Sequence, residues 1–332
     1  MLSRGKWKRP LALFQAGKEV DLPNIGLTVD TGLKSILIAT DLSKASDKPL
    51  CHALAIARHY GAHFYLVHVV SSLGYTLAGA QALQLASEAA RRETQQLEHD
   101  MVERGALTGI DHQFIVRQGN VWEELQVLIQ QKQVDLVVIG THGRQNLGKL
   151  VLGSVAEQIF RRADCLVLTV GPGCLQNSPL ENTRAFRPFL FATDFGEASL
   201  HALPRVISFA NHFGVQLVVL HVAPIAPIPG SFHWSSTTGD VRQMQEDAGW
   251  AALKRLEEIV SRNAPLTIEP KFLVKFGTPS KMILHVAGTL GADLIVMGLN
   301  RSRHIGTASH MPWDTAYQVV RSAVCPVLTV RS

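Results

Sequence analysis

The sequence predicts two similar α/β domains, each an open, mostly parallel sheet of five strands covered by helices. Three observations support this fold class. Apolar runs rich in Val, Ile and Leu alternate with amphipathic stretches, which is typical of strands alternating with helices. The length of 332 residues exceeds one typical domain. The pattern also occurs twice, and 46% hydrophobic residues against 18% charged ones give each half enough material for a core.

The internal repeat is read directly from the sequence. Ser35-Ile-Leu-Ile-Ala-Thr-Asp41 matches Pro188-Phe-Leu-Phe-Ala-Thr-Asp194, and residues 135–140 match 293–298. Both halves end alike, in Leu-Thr-Val at 168–170 and 328–330. A stretch rich in Gly and Pro at 171–179 separates them and indicates a linker. We therefore expect an N-terminal arm at 1–32, domains at 33–170 and 188–332, and a linker at 171–187.

The elements follow from these runs in order. The predicted strands are 34–40, 63–70, 111–116, 134–139 and 166–170, then 188–193, 216–222, 267–275, 293–297 and 326–330. The predicted helices of the first copy are 46–60, 82–104, 120–132 and 154–163. Strict alternation implies right-handed crossovers and a parallel sheet, whose ligands lie beyond the carboxyl ends of the strands. Asp41, Val69 and the loop from Gly140 converge on that edge.

Composition limits the function classes. The sequence contains no run of 18 or more uncharged apolar residues, so no membrane span is predicted. The basic N-terminus is a poor secretory signal. The four cysteines lack disulfide or metal spacing, which favours a reducing cytoplasm. Of the net charge of +5, the first 34 residues supply +3, from six Lys or Arg against three Asp or Glu. We interpret this arm as a solvated tail, so neither a membrane nor nucleic acid is expected as a partner.

The stretch from Gly140 to Val155 is the strongest functional signal. It leaves the end of an apolar strand and reaches Gly153-Ser154, where a helix is predicted to begin. Glycines let backbone N–H groups approach an anion closely, and a helix N-terminus favours negative charge. Ser154 is predicted to be the N-cap, since serine is favoured there and its oxygen can also face an anion. The pattern predicts a phosphate site.

The spacing Gly140-x2-Gly143-x9-Gly153-Ser154 resembles the ATP-binding signature of the universal stress protein family. The resemblance covers about 33–170 and 188–331, and it is close to tandem members with two domains in one chain. It implies that ATP, with or without Mg²⁺, binds the first domain. Asp41 and Val69 would flank adenine, Gly140 and Gly143 would lie under the ribose and phosphates, and Gly153, Ser154 and Val155 would hold the phosphates. For Asp41, a turn-forming role at the strand end is an equal alternative.

Other residues of this loop add to the predicted site. His142 could contact phosphate or ribose, and Arg144 could neutralise phosphate. A near P-loop starts at Gly143, but Leu150 stands where the Mg²⁺-binding Ser or Thr belongs. No metal-binding spacing and no nucleophile with its base is visible, so neither a metal site nor a catalytic residue is predicted. His68 and His221, at equivalent positions, are interpreted as packing or backbone-bonding residues.

The second copy departs from the signature. Gly298 is kept, but Arg301 stands where the second glycine belongs and Trp313-Asp314 replaces Gly-Ser. An aspartate there would repel a triphosphate, by about 4 kcal/mol for unit charges about 4 Å apart at an effective dielectric of about 20. Asp314 could still cap its helix. We therefore expect one nucleotide per chain, in the first half.

These observations lead to a functional hypothesis with alternatives. The favoured function is a cytoplasmic stress-response protein that binds ATP and acts as a nucleotide-dependent regulator with protein partners still to be found. Enzymatic activity would be limited to slow ATP hydrolysis or self-phosphorylation, for example at Ser154. The alternative is an interaction module for another small ligand or a protein, especially through the second half. The family resemblance and the similar final strands of the two halves indicate that strands 166–170 and 326–330 pair, so that the two halves form an internal pseudo-dimer. Association of two chains into a homodimer is a further alternative.

Overall fold

The computed structural model describes residues 32–75, 79–141, 152–174, 187–224, 238–300 and 312–331. Within these ranges, it does not describe the side chains at 74–75, 238–242 and 312–314. Loop residues of the predicted site, His142, Gly143 and Arg144, therefore lie outside the described residues. Residues 32–331 belong to one compact unit.

The described strands and helices alternate as the sequence predicts. The first half contains β1 Ser35–Ala39, α1 Asp47–Tyr60, β2 His63–Ser71, α2 Gly79–Glu103, β3 His112–Gly119, α3 Val121–Gln131, β4 Leu136–Gly140, α4 Ser154–Arg162 and β5 Leu166–Val170. The second half contains β6 Phe189–Thr193, α5 Glu197–Phe213, β7 Leu217–Ala223, α6 Thr238–Ser261, β8 Lys271–Phe276, α7 Pro279–Leu290, β9 Leu294–Leu299, α8 Pro312–Ser322 and β10 Val327–Arg331.

The ten strands form one sheet in the order β3-β2-β1-β4-β5-β10-β9-β6-β7-β8. Neighbouring strands within each half are parallel, and the two halves repeat the same strand order. At the centre, β5 and β10 pair antiparallel, with Leu168 opposite Leu328. The predicted pairing of the two final strands is confirmed. Antiparallel pairing of two equivalent strands is the arrangement that a local two-fold axis produces.

Helices cover both faces of the sheet, and side chains alternate between two apolar cores. Ile36 and Ile38 of β1 join the core under α1, α2, α5 and α6. Leu37, between them, joins the core under α3, α4, α7 and α8. This alternation follows from the two-residue period of a strand, and burial on both faces explains the continuous apolar runs in the sequence.

One predicted strand boundary is wrong by four residues. The expected strand 267–275 begins at Lys271. Pro270, directly before it, has no N–H to donate to a neighbouring strand, so it suits the position just outside the ladder.

Candidate functional site

Strand register brings the predicted residues of three strands to one edge of the sheet. Ala39 of β1 lies opposite Val67 of β2 and Ile139 of β4. Asp41 and Val69 are each two residues beyond that level, and Gly140 is one residue beyond it. Val69 lies inside β2, which continues to Ser71, one residue beyond the predicted strand 63–70. The carboxyl ends of β1, β2 and β4 therefore share one region, as predicted.

The Asp41 carboxylate organises the turn that leaves β1. Its Oδ1 accepts hydrogen bonds from the Ser43 N–H at 3.0 Å and from the hydroxyls of Ser43 at 2.6 Å and Ser46 at 3.0 Å. Leu42, between them, has φ of 60°. This left-handed conformation is unfavourable for leucine, so the side-chain hydrogen bonds help to hold it. The turn-forming role of Asp41 is thus observed.

The second half contains the same turn. Asp194 Oδ1 accepts from the Gly196 N–H and the Ser199 hydroxyl, both at 2.8 Å, and Phe195 has φ of 62°. The second half has lost the glycine loop but keeps this turn. The turn therefore serves the fold in both halves, while contact of Asp41 with a nucleotide stays a prediction.

Two histidines at equivalent positions of the repeat form hydrogen bonds with the backbone before these turns. Nδ1 of His68 lies 2.9 Å from the Thr40 carbonyl oxygen, and Nδ1 of His221 lies 2.9 Å from that of Thr193. A carbonyl oxygen only accepts, so Nδ1 carries the proton in both rings. The predicted backbone hydrogen bond of these histidines is confirmed.

The N-terminus of α4 is fixed to the end of β4. The Gly153 N–H donates to the Thr141 carbonyl at 2.9 Å, and the Thr141 N–H donates to Val170 of β5 at 3.1 Å. The Gly153 carbonyl accepts from Glu157 at 2.8 Å, so Gly153 is the N-cap and Ser154 the first helical residue. The prediction that Ser154 is the N-cap is wrong, because the Thr141 contact holds Gly153 in an extended conformation there.

This geometry determines which amides of α4 have no acceptor inside the helix. The first three helical residues, Ser154, Val155 and Ala156, have N–H groups with no acceptor inside the helix. Ser154 is exposed and Val155 half-buried. The Gly153 N–H, in contrast, already donates to the Thr141 carbonyl oxygen. An anion would therefore be held by the amides of the three residues that follow Gly153. These amides and the helix dipole make a site of positive potential at the sheet edge.

Glycine at position 153 is not required by the described fold. Its φ of −60° and ψ of 148° suit any residue, and among the described residues the nearest atom to an added Cβ would be 3.7 Å away. With glycine, the N-cap residue of α4 carries no side chain beside the first turn. Among the described residues, packing therefore gives no reason for a glycine at this position.

Gly298, the equivalent of Gly140, has a packing reason. A Cβ at Gly298 would lie 2.4 Å from the Ala198 carbonyl oxygen in the first turn of α5. Glycine there lets α5 approach β9 closely. The retained glycine of the second half is therefore structural.

The last helix of the second half begins differently from α4. Helix α8 starts at Pro312, which has no N–H, and Asp314 is its third residue. The prediction that Asp314 caps this helix is wrong, because the helix begins two residues earlier, and proline is well suited to a first helical position. A carboxylate in the first turn also complements the positive helix end. Arg301 and the side chains of Trp313 and Asp314 lie outside the described residues.

Sequence reasoning missed several residues of this region. Thr141, only 2% exposed, positions α4, and Ala156, itself buried, is the third helical residue whose N–H has no acceptor inside the helix. Ser43 and Ser46 hold Asp41 in place. The only signal for the serines was their spacing of two and five residues after an aspartate that ends a strand, which is typical of a side-chain-stabilised turn.

Two further observations concern metals and membranes. In the described ranges, no group of three or more His, Cys, Asp or Glu side chains could hold a metal ion. No helix among the described residues is both long and apolar enough to cross a bilayer.

The fold defines an α/β protein made of two similar open-sheet halves, which have the same strand order. The universal stress protein family matches residues 32–171 and again 185–331, so the chain belongs to this family as a tandem member.

The relatives agree with this assignment. A universal stress protein of Mycolicibacterium smegmatis is 26% identical over 305 residues, which cover 89% of this chain and 96% of the relative. One of Methanocaldococcus jannaschii is 31% identical over 138 residues, 41% of this chain and 81% of the relative. The crystal structure of a universal stress protein from Archaeoglobus fulgidus shares the fold, with a TM-score of 0.63 at 21% identity, covering 91% of this chain and 97% of that one.

Proposed function

We propose that this stress-response protein binds ATP in its first half and acts as a nucleotide-dependent regulator in the cytoplasm. The observation that carries the proposal is the first turn of α4. It offers the amides of Ser154, Val155 and Ala156 at the carboxyl edge of the sheet, next to a glycine that the described fold does not require. Helix N-termini at this edge are common sites for phosphate groups.

Each predicted residue then has a role. The amides from Ser154 to Ala156 and the Ser154 hydroxyl would hold the phosphates, and Gly153 would leave room for them. Gly140, Gly143, His142 and Arg144 would line the loop side. Asp41 and Val69 would flank the adenine, with Asp41 also holding its own turn. Mg²⁺ could accompany the nucleotide, bound through its phosphates.

The proposal includes one nucleotide per chain and the domain division at 33–170 and 188–332. In the second half, the first helical position is a proline and the third an aspartate. The helix therefore offers one amide fewer and a negative charge in its first turn. Both differences weaken phosphate binding.

Regulation requires only that two conformations differ in nucleotide affinity. Hydrolysis is not needed for such a switch. Slow hydrolysis or self-phosphorylation at Ser154 remains a subsidiary proposal. It is tested by phosphate release and by intact-mass measurement after incubation with ATP, with Ser154→Ala as the control.

One observation favours a second function for the C-terminal half. On α6, Trp250 is 71% exposed and Met244 is 70% exposed. Trp250 also lines an open groove with Leu253, Val274 and Phe276, and an exposed apolar surface with an aromatic side chain often contacts a partner protein. This interaction-module alternative predicts that Trp250→Glu leaves ATP binding intact while it removes the protein's effect on survival of stressed cells.

Calorimetric titration with ATP, with and without Mg²⁺, tests the proposed function. Gly153→Val places a branched side chain at the first turn of α4, where the described neighbours leave space for its Cβ. We expect a folded protein that no longer binds ATP. Gly288→Val is the matched control, since Gly288 is exposed in α7 and a Cβ there meets no described atom within 4 Å. Equal ATP binding by both variants would contradict the proposal.

A further inference from the structure

Four aromatic side chains meet where the last turns of α1 and α5 lie beside each other. His59 and Tyr60 end α1, and His212 and Phe213, their equivalents in the repeat, end α5. His59 stacks on Phe213 with ring centroids 4.5 Å apart, and His212 stacks on Tyr60 at 4.2 Å. Each histidine therefore lies flat on an aromatic ring of the opposite half, and this stacking restricts the position of its own ring.

The two imidazole rings are also close to each other, with centroids 4.7 Å apart. A divalent transition metal binds a histidine nitrogen at about 2 Å, so the ion lies about 3.2 Å from the ring centroid. Two rings on one ion would then have centroids roughly 4.5 Å apart for ligands at a right angle and roughly 5.2 Å apart for tetrahedral ligands. The observed separation lies between these values, so the rings are spaced for one shared ion.

Both rings favour the protonation state that binds metals. Partial burial lowers the pKa of His59 and of His212 from 6.5, and the nearby His212 lowers that of His59 further. A hydrogen bond from the His59 ring to the His212 backbone acts in the opposite direction and occupies one of its nitrogens. The neutral imidazole is the metal-binding form, and a ligand histidine commonly gives its second nitrogen to a backbone carbonyl.

The repeat separates the requirement for a histidine from the requirement for a packed ring. Histidine occurs at this position in both halves, whereas the aromatic ring beside it is Tyr60 in one half and Phe213 in the other. Packing accepts either of those rings, so the presence of imidazole in both halves favours a role for its nitrogens. Both His59 and His212 are exposed, and an ion can reach them from solvent.

From this juxtaposition we propose that His59 and His212 together bind one divalent transition metal ion of the imidazole-preferring class, Zn²⁺ or Ni²⁺, on the local two-fold axis. Water molecules would complete its coordination. Both helices end just before a strand begins, so the site lies at the amino ends of the strands, on the opposite edge of the sheet from the proposed nucleotide site. Because each half supplies one ligand, the ion would join the two halves.

Calorimetric titration of the full-length, untagged protein with Ni²⁺ tests the proposal. We expect one site of highest affinity per chain, which Mg²⁺ does not occupy because Mg²⁺ prefers oxygen ligands. His59→Gln and His212→Gln should each lower the Ni²⁺ affinity at least about tenfold, since each removes one of the two ligands. Ni²⁺ should also raise the urea midpoint of the wild type and leave that of both variants nearly unchanged.

The matched control is His99→Gln. His99 is exposed on α2, where its Nε2 lies 3.2 Å from a carboxylate oxygen of Glu103, so it represents adventitious binding by a surface histidine. This variant should bind Ni²⁺ as the wild type does. The proposal is overturned if the wild type binds no Ni²⁺ at millimolar concentration, if only one of the His59 and His212 variants is impaired, or if His99→Gln loses as much affinity as they do.

Discussion

The guanidinium of Arg331 donates a hydrogen bond to the carbonyl oxygen of Arg161 at 2.8 Å, and a second one to that of Phe160. Arg331 ends β10 in the second half, and the two carbonyls end α4 in the first. Its side chain is buried and its positive charge lies at the negative end of the helix, a favourable arrangement. The helix whose first turn forms the proposed phosphate site is therefore capped by the other half.

Removing this cap should destabilise the protein. Arg331→Met keeps a long apolar side chain but loses both donors, and we expect the free energy of unfolding to fall by about 2 kcal/mol in urea denaturation. The control is Arg161→Gln, which removes an exposed pair with Glu157 and should cost less than about 0.5 kcal/mol. A cost for Arg331→Met as small as that of the control would show that the cap contributes little.

The centre of the sheet gives a second prediction. Leu328 is 4% exposed and lies opposite Leu168. Leu328→Ala should lower the free energy of unfolding by about 2–4 kcal/mol in a single cooperative transition, because both halves share this strand pair. Val324→Ala, at a position 58% exposed, should have little effect. Two separate transitions would instead indicate halves that unfold independently.

The histidine pair on α1 and α5 predicts a pH effect. Partial burial lowers the pKa of His59 and of His212, and the nearby His212 lowers that of His59 further. The folded state therefore prefers neutral rings. Their contribution to stability is complete above the unfolded pKa of 6.5 and is lost as the pH falls through the lowered folded values.

Because both rings are exposed, this effect should be small. It is measured as the difference in urea midpoint between the wild type and the double variant His59→Gln, His212→Gln. We expect the wild type to lose stability relative to the variant between pH 7.5 and about pH 5. A constant difference over that range would exclude this linkage.

The proposed phosphate site can be tested by removing one amide. Proline is favoured at the first helical position, so Ser154→Pro deletes the outward N–H while α4 is retained. ATP affinity should fall at least about tenfold, the value of one hydrogen bond to a charged group. Ser154→Ala loses only the hydroxyl and should bind ATP more tightly than the proline variant. Equal affinities of the two variants would argue against a role for this amide.

Local patterns predicted most of the fold, whereas long-range contacts decided what they missed. The repeat and the apolar runs located the ten strands, because burial on both faces leaves a continuous apolar signal. The N-cap was assigned to Ser154 because serine is favoured there, but the Thr141 carbonyl holds Gly153 at that position. The Arg331 cap joins residues 170 positions apart, and no pattern within the final strand indicates its acceptor.

The candidate site shows the same division. Glycine spacing located the region, and strand register confirmed that β1, β2 and β4 end together there. The spacing of glycines in the sequence could not show whether a glycine is required by close packing of another element or by the approach of a ligand. Gly298 is explained by the approach of α5, whereas neither the backbone angles nor the described neighbours of Gly153 require a glycine. That distinction depends on neighbours from other elements, which a single sequence does not specify.

The most direct test of the central claim is the stoichiometry of ATP binding to the full-length protein, measured by isothermal titration calorimetry. We predict one ATP per chain for the wild type and none for Gly153→Val. Two equivalent sites per chain, no binding at millimolar ATP, or one site that survives Gly153→Val would each contradict it.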